Sequence, residues 1–399
     1  MKIKSLETYN FRGLINAKIE FHEKLNLFLG INGAGKSSIL DAISLLMTWW
    51  VQRIKSATGR GSDIPMQDIE NNSQNSRIKL TLDDGTQWSL FRTKAKEKTE
   101  KSDLSKLNEK LKSVWNRMDE DPNMPLPIVV HYRVNRSVSD IPLKIKHLDN
   151  AKREDSYANT LKGNASFRDF FSWFRMREDE ENERIREQQS YRDLGLESIR
   201  QAMLNIFPDY SDMKVRRRPQ ALLLKKEGKE FMLNQLSDGE KCYIALVCDL
   251  ASRLVMANPK GNPLNGFGIV MIDEVDLHLH PQWQLVVLPK LTETFPNCQF
   301  VVTTHSPLVV SEGIGKIFTI ENGTVKELPL LNGVDYNAIL RDFMGTSSQN
   351  AFLTALTDEY VAYQKYQMFD NAQSVMDKLH ELVPDQNAQI YKIINGKLQ

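Results

Sequence analysis

The segment Gly30-Ile31-Asn32-Gly33-Ala34-Gly35-Lys36-Ser37 carries the spacing G-x-x-x-x-G-K-S/T. Its glycines let successive backbone amides turn inward around a chain of phosphates. Lys36 then offers a positive charge to the β and γ phosphates, and Ser37 offers a hydroxyl to Mg²⁺. Asn32, Ala34 and Ser38 fall within the same nucleotide-binding stretch. A second element is the apolar run 269–272, which ends on Asp273-Glu274. A buried strand ending in two carboxylates suits an Asp273 that holds Mg²⁺ and a Glu274 that orients or activates an attacking water. A third is the run 300–304, which delivers His305. A neutral imidazole there can hydrogen-bond a γ-phosphate or the attacking water. His278 and His280 lie two residues apart, but no third ligand stands at a natural spacing, so a rigid loop is expected there rather than a metal site.

These groups need elements to hold them. Leu25, Leu27, Phe28 and Leu29 read as a short buried strand that runs into Gly30. Beyond Lys36 the apolar residues Ile39, Leu40, Ile43, Leu46, Met47 and Trp50 have helical spacing. Strand, glycine-rich loop and helix are thus in the order a phosphate loop requires, and the helix turns its positive end to the same phosphates. Upstream, Ile3, Leu6 and Tyr9 share an apolar segment, and Ile15, Ala17, Ile19 and Phe21 alternate with polar residues as a half-buried strand does. Hairpins are expected around Asp84-Gly85, Glu227-Gly228 and Asn322-Gly323. Lys-rich 94–112 and the Arg/Glu/Asp-dense 175–189 read as solvated helices. After 334 the pattern is helical, with Tyr360, Tyr363, Tyr366 and Phe369 spaced by three.

The chain has 399 residues, enough for two to three lobes at roughly 150 residues each. Lys plus Arg number 52 against 51 for Asp plus Glu, which excludes a globally basic nucleic-acid binder. Any DNA contact must come from a local patch, such as Arg216-Arg217-Arg218 or Lys94, Lys96, Lys98 and Lys101. The three cysteines form no C-x-x-C pair, which fits a reducing cytosol. No signal-peptide pattern opens the sequence and no apolar stretch nears the roughly 20 residues of a membrane span, so a cytoplasmic protein is expected.

Gln235-Leu236-Ser237-Asp238-Gly239-Glu240 stands about 30 residues before the acidic strand and resembles the signature motif of ABC-type ATPases. Together with the phosphate loop, the Asp276 loop and His305, the chain resembles the RecF, OLD and SMC branch of that superfamily. Asn10-Phe11-Arg12-Gly13 also resembles the opening of those proteins, where an Arg touches nucleotide. The segments 131–138, 170–174 and 332–346 carry a closer similarity to the PtuA (Septu) type of bacterial defence ATPase. The implied fold is α/β, a P-loop NTPase of ABC-ATPase head type: a mixed sheet lobe with helices, carrying a mainly helical insertion and a helical C-terminal tail. The corresponding divisions are 1–92, 93–205, 206–333 and 334–399.

The resemblance implies two heads that dimerise head to tail around two ATP molecules, as a homodimer or higher even oligomer. Ser237 and Gly239 of one head would complete the site holding Lys36 and Glu274 of the other, with Asp276 at the seam. The motif departs from the usual signature at Asp238 and Glu240, whose carboxylates repel a phosphate unless they are directed outward. Gln67 is the candidate for a metal-contacting glutamine beside Ser37 and Asp273. About 94 residues follow His305 and contain no Asp-x-Asp pair, so no nuclease chemistry of the chain's own is expected. The implied function is an ATP-hydrolysing subunit of an antiphage defence complex that regulates a separate partner nuclease, of HNH type by resemblance. The alternatives are a RecF-like repair ATPase that binds DNA, and a nucleotide-gated scaffold with negligible turnover, for which Asp238 is the sequence support.

Overall fold

The computed structural model describes residues 1–95, 100–134, 153–161, 167–311, 315–344, 351–385 and 389–398. It divides into two compact units, Met1–Val334 and Asp335–Gln399. The first unit opens with strands β1 (Ile3–Phe11), β2 (Leu14–Glu20) and β3 (Leu25–Leu29), then helix α1 (Lys36–Lys55), β4 (Asn75–Leu82) and β5 (Gln87–Thr93). Helix α2 (Ser105–Glu120), strand β6 (Ile128–Tyr132), and helices α3 (Phe167–Glu187) and α4 (Leu194–Ile206) follow. Next come β7 (Tyr210–Arg217), β8 (Gln220–Lys226), β9 (Lys229–Met232) and α5 (Asp238–Ala257). Then β10 (Gly268–Ile272), α6 (Pro281–Thr294), β11 (Cys298–Thr304), the short α7 (Pro307–Ser311), β12 (Lys316–Glu321) and β13 (Thr324–Leu328) complete it.

The described residues form three sheets. The central one has the order β13-β12-β3-β11-β10-β6, all parallel except the β12–β13 hairpin. Every residue of β3, β6, β10 and β11 is buried, as expected of parallel strands covered on both faces. Strand β11 lies between the strand feeding the phosphate loop and the strand ending in Asp273. An antiparallel sheet runs β2-β1-β4-β5, and a third runs β7-β8-β9.

Two side chains face opposite to the expected side. Tyr9 is 50% exposed and Ile15 57% exposed. The pleat explains Tyr9, since Leu6 and Thr8 face inward on β1. Ile15 would share the face of Ala17 and Ile19, but the alternation is broken at the start of β2, where Leu14 is buried instead. The stretch 93–205 contains three helices, but its strand β6 is paired to β10 as an edge of the central sheet. It is therefore woven into the head. Among the described residues no helix is long and apolar enough to cross a membrane.

The second unit consists of α8 (Tyr336–Met344), α9 (Ala351–Lys365), α10 (Phe369–Leu382) and α11 (Gln389–Leu398). Leu356, Val375, Leu379 and Ile394 form its core, with Tyr360 and Tyr363 packed against it. The expected aromatic face is split. Gln367 takes φ 57° and breaks the helix, leaving Tyr366 and Phe369 exposed on the turn.

Candidate functional site

The loop 30–35 joins β3 to α1 through three glycines at positive φ: Gly30, Gly33 and Gly35, the last being the helix N-cap. Lys36 is buried, and its Nζ donates to the carbonyls of Gly30 (2.8 Å) and Ile31 (2.9 Å). Burial lowers its pKa below the ordinary lysine value, although Glu274, Asp273 and Asp276 pull the other way. Asn32 and Gly33 lie exposed on the rim, Ala34 N donates to the Ile31 carbonyl and Ser38 N to that of Gly35.

The start of α1 and the acidic end of β10 meet through their side chains. Ser37 Oγ donates to Asp273 Oδ1 at 3.1 Å, across the intervening β11. Glu274 sits at φ 48°, a left-handed conformation uncommon for a residue with a side chain and frequent at functional sites. His305 Nε2 lies 3.6 Å from Glu274 Oε1, a proximity too long for a hydrogen bond. Asp276 Oδ1 accepts from Thr304 Oγ1 at 2.6 Å and from His305 N at 3.3 Å.

Two further residues organise this cluster. Thr303 Oγ1 donates to Asp273 Oδ1 at 2.5 Å and accepts from Glu274 N at 2.8 Å. One buried hydroxyl therefore orients both acidic residues, and Thr304 does the same for Asp276. The sequence places both threonines beside His305, but their role depends on β11 lying between β3 and β10, which no local pattern reveals. Thr303→Val removes the acceptor of the part-buried Glu274 amide and one of the two donors to Asp273 Oδ1, leaving that of Ser37. It should lower unfolding stability by about 1–3 kcal/mol in a denaturant titration. A midpoint identical to wild type would mean that the hydroxyl carries no such burden.

The signature segment begins α5. Ser237 is its N-cap and forms a capping box with Glu240: Ser237 N and Oγ donate to Glu240 Oε2 at 2.9 and 2.7 Å. The other carboxylate oxygen accepts from Tyr210 Oη and Lys226 Nζ, both at 2.6 Å. Burial pushes this carboxyl up, but those hydrogen bonds outweigh it and hold it at about 2 against an ordinary 4.5. Asp238 points to solvent and pairs with Lys241 at 2.7 Å. The expected repulsion is thus resolved locally: one carboxylate is turned back and neutralised, the other turned out. A depressed folded-state pKa means a stabilising contribution that is complete above pH 4.5 and drains away as pH falls toward 2. Wild type should therefore exceed Glu240→Gln in denaturant midpoint near neutrality, and the gap should close in acid. A gap independent of pH would contradict this.

Gly239 is buried against the loop after β10, where a Cβ would stand 2.0 Å from the His278 carbonyl oxygen. His278 has φ 63°, and His280 caps α6 by accepting from Gln282 N. Among the described residues no group of three or more His, Cys, Asp or Glu is arranged to hold a metal.

Other expected contacts are arranged differently. Arg12 Nη1 binds Asp41 at 2.6 Å and its Nε binds Asp68 at 2.9 Å, so its guanidinium is committed to two carboxylates. Gln67 is exposed on the turn Met66–Asp68, and among the described residues no hydrogen bond ties it to Ser37 or Asp273. Of the basic clusters, Arg217 is paired with Glu178 and Asp179, Arg216 caps the Pro219 carbonyl, and Lys94 caps those of Glu70 and Asn71. Lys96 and Lys98 lie outside the described residues, as do 135–138 and 345–346 of the segments similar to PtuA.

The donor set fits a magnesium nucleotide. Ser37 and Asp273 present adjoining oxygens, the glycine loop leaves Cβ-free backbone, and Lys36 rests on replaceable carbonyls. The family described as "AAA domain, putative AbiEii toxin, Type IV TA system" matches residues 25–311. The protein named Retron Ec83 probable ATPase, from Escherichia coli, is 29% identical over 77% of this chain and 69% of its own length. Septu protein PtuA from Bacillus thuringiensis is 23% identical over 98% of this chain and 99% of its own. The similarity to PtuA expected from the sequence is thus present, while the retron protein matches at higher identity over a smaller share of the chain. An SMC head domain from Thermotoga maritima superposes with a TM-score of 0.44 at 18% identity, over 82% of this chain and 99% of that one.

Proposed function

Because this chain belongs to the AAA-domain family matched over residues 25–311, we propose that it is the ATP-hydrolysing subunit of a bacterial antiphage defence complex, acting on a separate effector. The observation that carries the reading is the Ser37–Asp273 contact, with Glu274 beside it and His305 facing Glu274. It joins a phosphate-binding loop to an acidic strand end, which is the arrangement ATP hydrolysis needs.

In this reading Lys36 leaves its two loop carbonyls for phosphate oxygens, and the loop amides with the α1 N-terminus hold the remaining charge. Ser37 and Asp273 hold Mg²⁺, which neutralises charge on the phosphates when bound. Glu274 accepts a proton from, or orients, the attacking water, and His305 fixes that geometry from β11. Ser237, Gly239 and Asp276 serve a second head, which is the basis of an ATP-dependent dimer. The retron and Septu relatives by name support the defence setting, and by resemblance the effector is a nuclease. The pairing of Asp238 with Lys241 offsets the negative charge that the scaffold reading invoked.

The test is to express the chain with its neighbouring genes, purify it by a tag, and measure both ATP turnover and co-purifying polypeptides. ATP turnover together with a stoichiometric nuclease is the expected result. Turnover with no partner and tight, salt-sensitive DNA binding would favour the repair reading instead.

A further inference from the structure

Glu240 joins two parts of the head that the ATPase reading leaves unconnected. Its Oε2 holds the backbone amide and hydroxyl of Ser237, and its Oε1 holds Tyr210 of β7 and Lys226 of β8. Glu240 N also donates to Ser237 Oγ at 3.4 Å. The conformation of Ser237 at the exposed end of α5 is thus set by a carboxylate that is itself gripped from the third sheet. Lys226 further packs over the Tyr210 ring, with Nζ 5.4 Å from its centroid. Among the described residues no hydrogen bond joins this network to Lys36, Ser37 or Asp273. It meets the exposed end of α5 through Ser237.

We propose that Glu240, held by Tyr210 and Lys226, is a positioning residue that sets the Ser237 end of α5 for the nucleotide of a second copy of this chain. The inference rests on the ATP-dependent dimer reading above. Because Ser237 serves the neighbouring head, Glu240 governs the step that needs two heads and leaves untouched the binding of ATP by one. The β7–β8 hairpin then becomes an input: whatever shifts Tyr210 or Lys226 relaxes the hold on Ser237. Tyr210 also lines a cavity of about 440 Å³ between α4 and β7, whose apolar part is Met203, Leu204, Met213 and Leu224.

The 399-residue chain and five variants, the double Tyr210→Phe/Glu240→Ala among them, test this through two readouts: ATP affinity at dilute protein, and turnover at saturating ATP. Glu240→Ala should leave affinity within about twofold and lower turnover about 10- to 100-fold, the scale of a displaced reactive group. Glu240→Gln keeps an acceptor for Ser237 and should recover most of the loss. Tyr210→Phe should lower turnover by itself but add nothing to Glu240→Ala, since the two act through one path. If Glu240→Ala does not fold, Tyr210→Phe and Lys226→Met carry the test, as both leave the cap residues in place. Wild-type turnover in all variants overturns this inference alone. So does a Tyr210→Phe effect of equal size in both backgrounds. A wild-type chain that binds no ATP overturns the ATPase reading and this one with it.

Discussion

Glu274→Gln is expected to lower ATP turnover by about 10²- to 10⁴-fold, the range of a positioned acid–base group, while ATP stays bound. The substitution is nearly isosteric. The backbone amide of residue 274 keeps its bond to Thr303 Oγ1, so the strand end and its unusual φ are retained. What is lost is the carboxylate that faces His305 from 3.6 Å. Phosphate release from purified protein reads the chemical step, and retained nucleotide after gel filtration reads binding. Sedimentation velocity with ATP should then reveal an accumulating dimer, since the step that dissolves it has been stopped. Undiminished phosphate release would remove Glu274 from the chemistry altogether.

Lys36→Met is expected to weaken ATP binding at least about 100-fold while leaving the nucleotide-free fold intact or slightly more stable. Each charge-assisted hydrogen bond contributes about 1.5–3 kcal/mol, so the loss of two accounts for that factor or more. The stability half follows from burial. The ammonium sits in an enclosed place that lowers its pKa, which means the charged form is costlier in the folded chain than in water. Methionine keeps the length of the stem and removes that cost. Calorimetric titration with ATP and a thermal melt without nucleotide check the two halves separately. A melting temperature lowered by several degrees would show that Lys36 mainly supports the loop through Gly30 and Ile31.

The local elements of the site were legible because each is contiguous. The phosphate loop needs only its own glycines, and β10 and β11 announce themselves as apolar runs ending in polar tips. Partners distant in sequence were not. Arg12 meets Asp68 across 56 positions, and Glu240 meets Tyr210 across 30. Side-chain periodicity tells which face a residue lies on, but not what waits on the other side of the gap. The same limit applies to Tyr9 and Ile15, because an apolar residue in a strand does not itself reveal whether its face is covered. The tail illustrates a further one: a spacing of three holds within α9, but Gln367 ends the helix and the pattern stops meaning one face.

Thr303 and Thr304, which end β11, and His305, which follows it, each meet a different acidic group: Thr303 meets Asp273, Thr304 meets Asp276, and His305 faces Glu274. Because alternate side chains of a strand point to opposite sides, sliding β11 by one position would misdirect all three together. The cluster therefore acts as a checksum on sheet assembly. A head whose strands have closed out of step has no oriented acidic groups and remains silent.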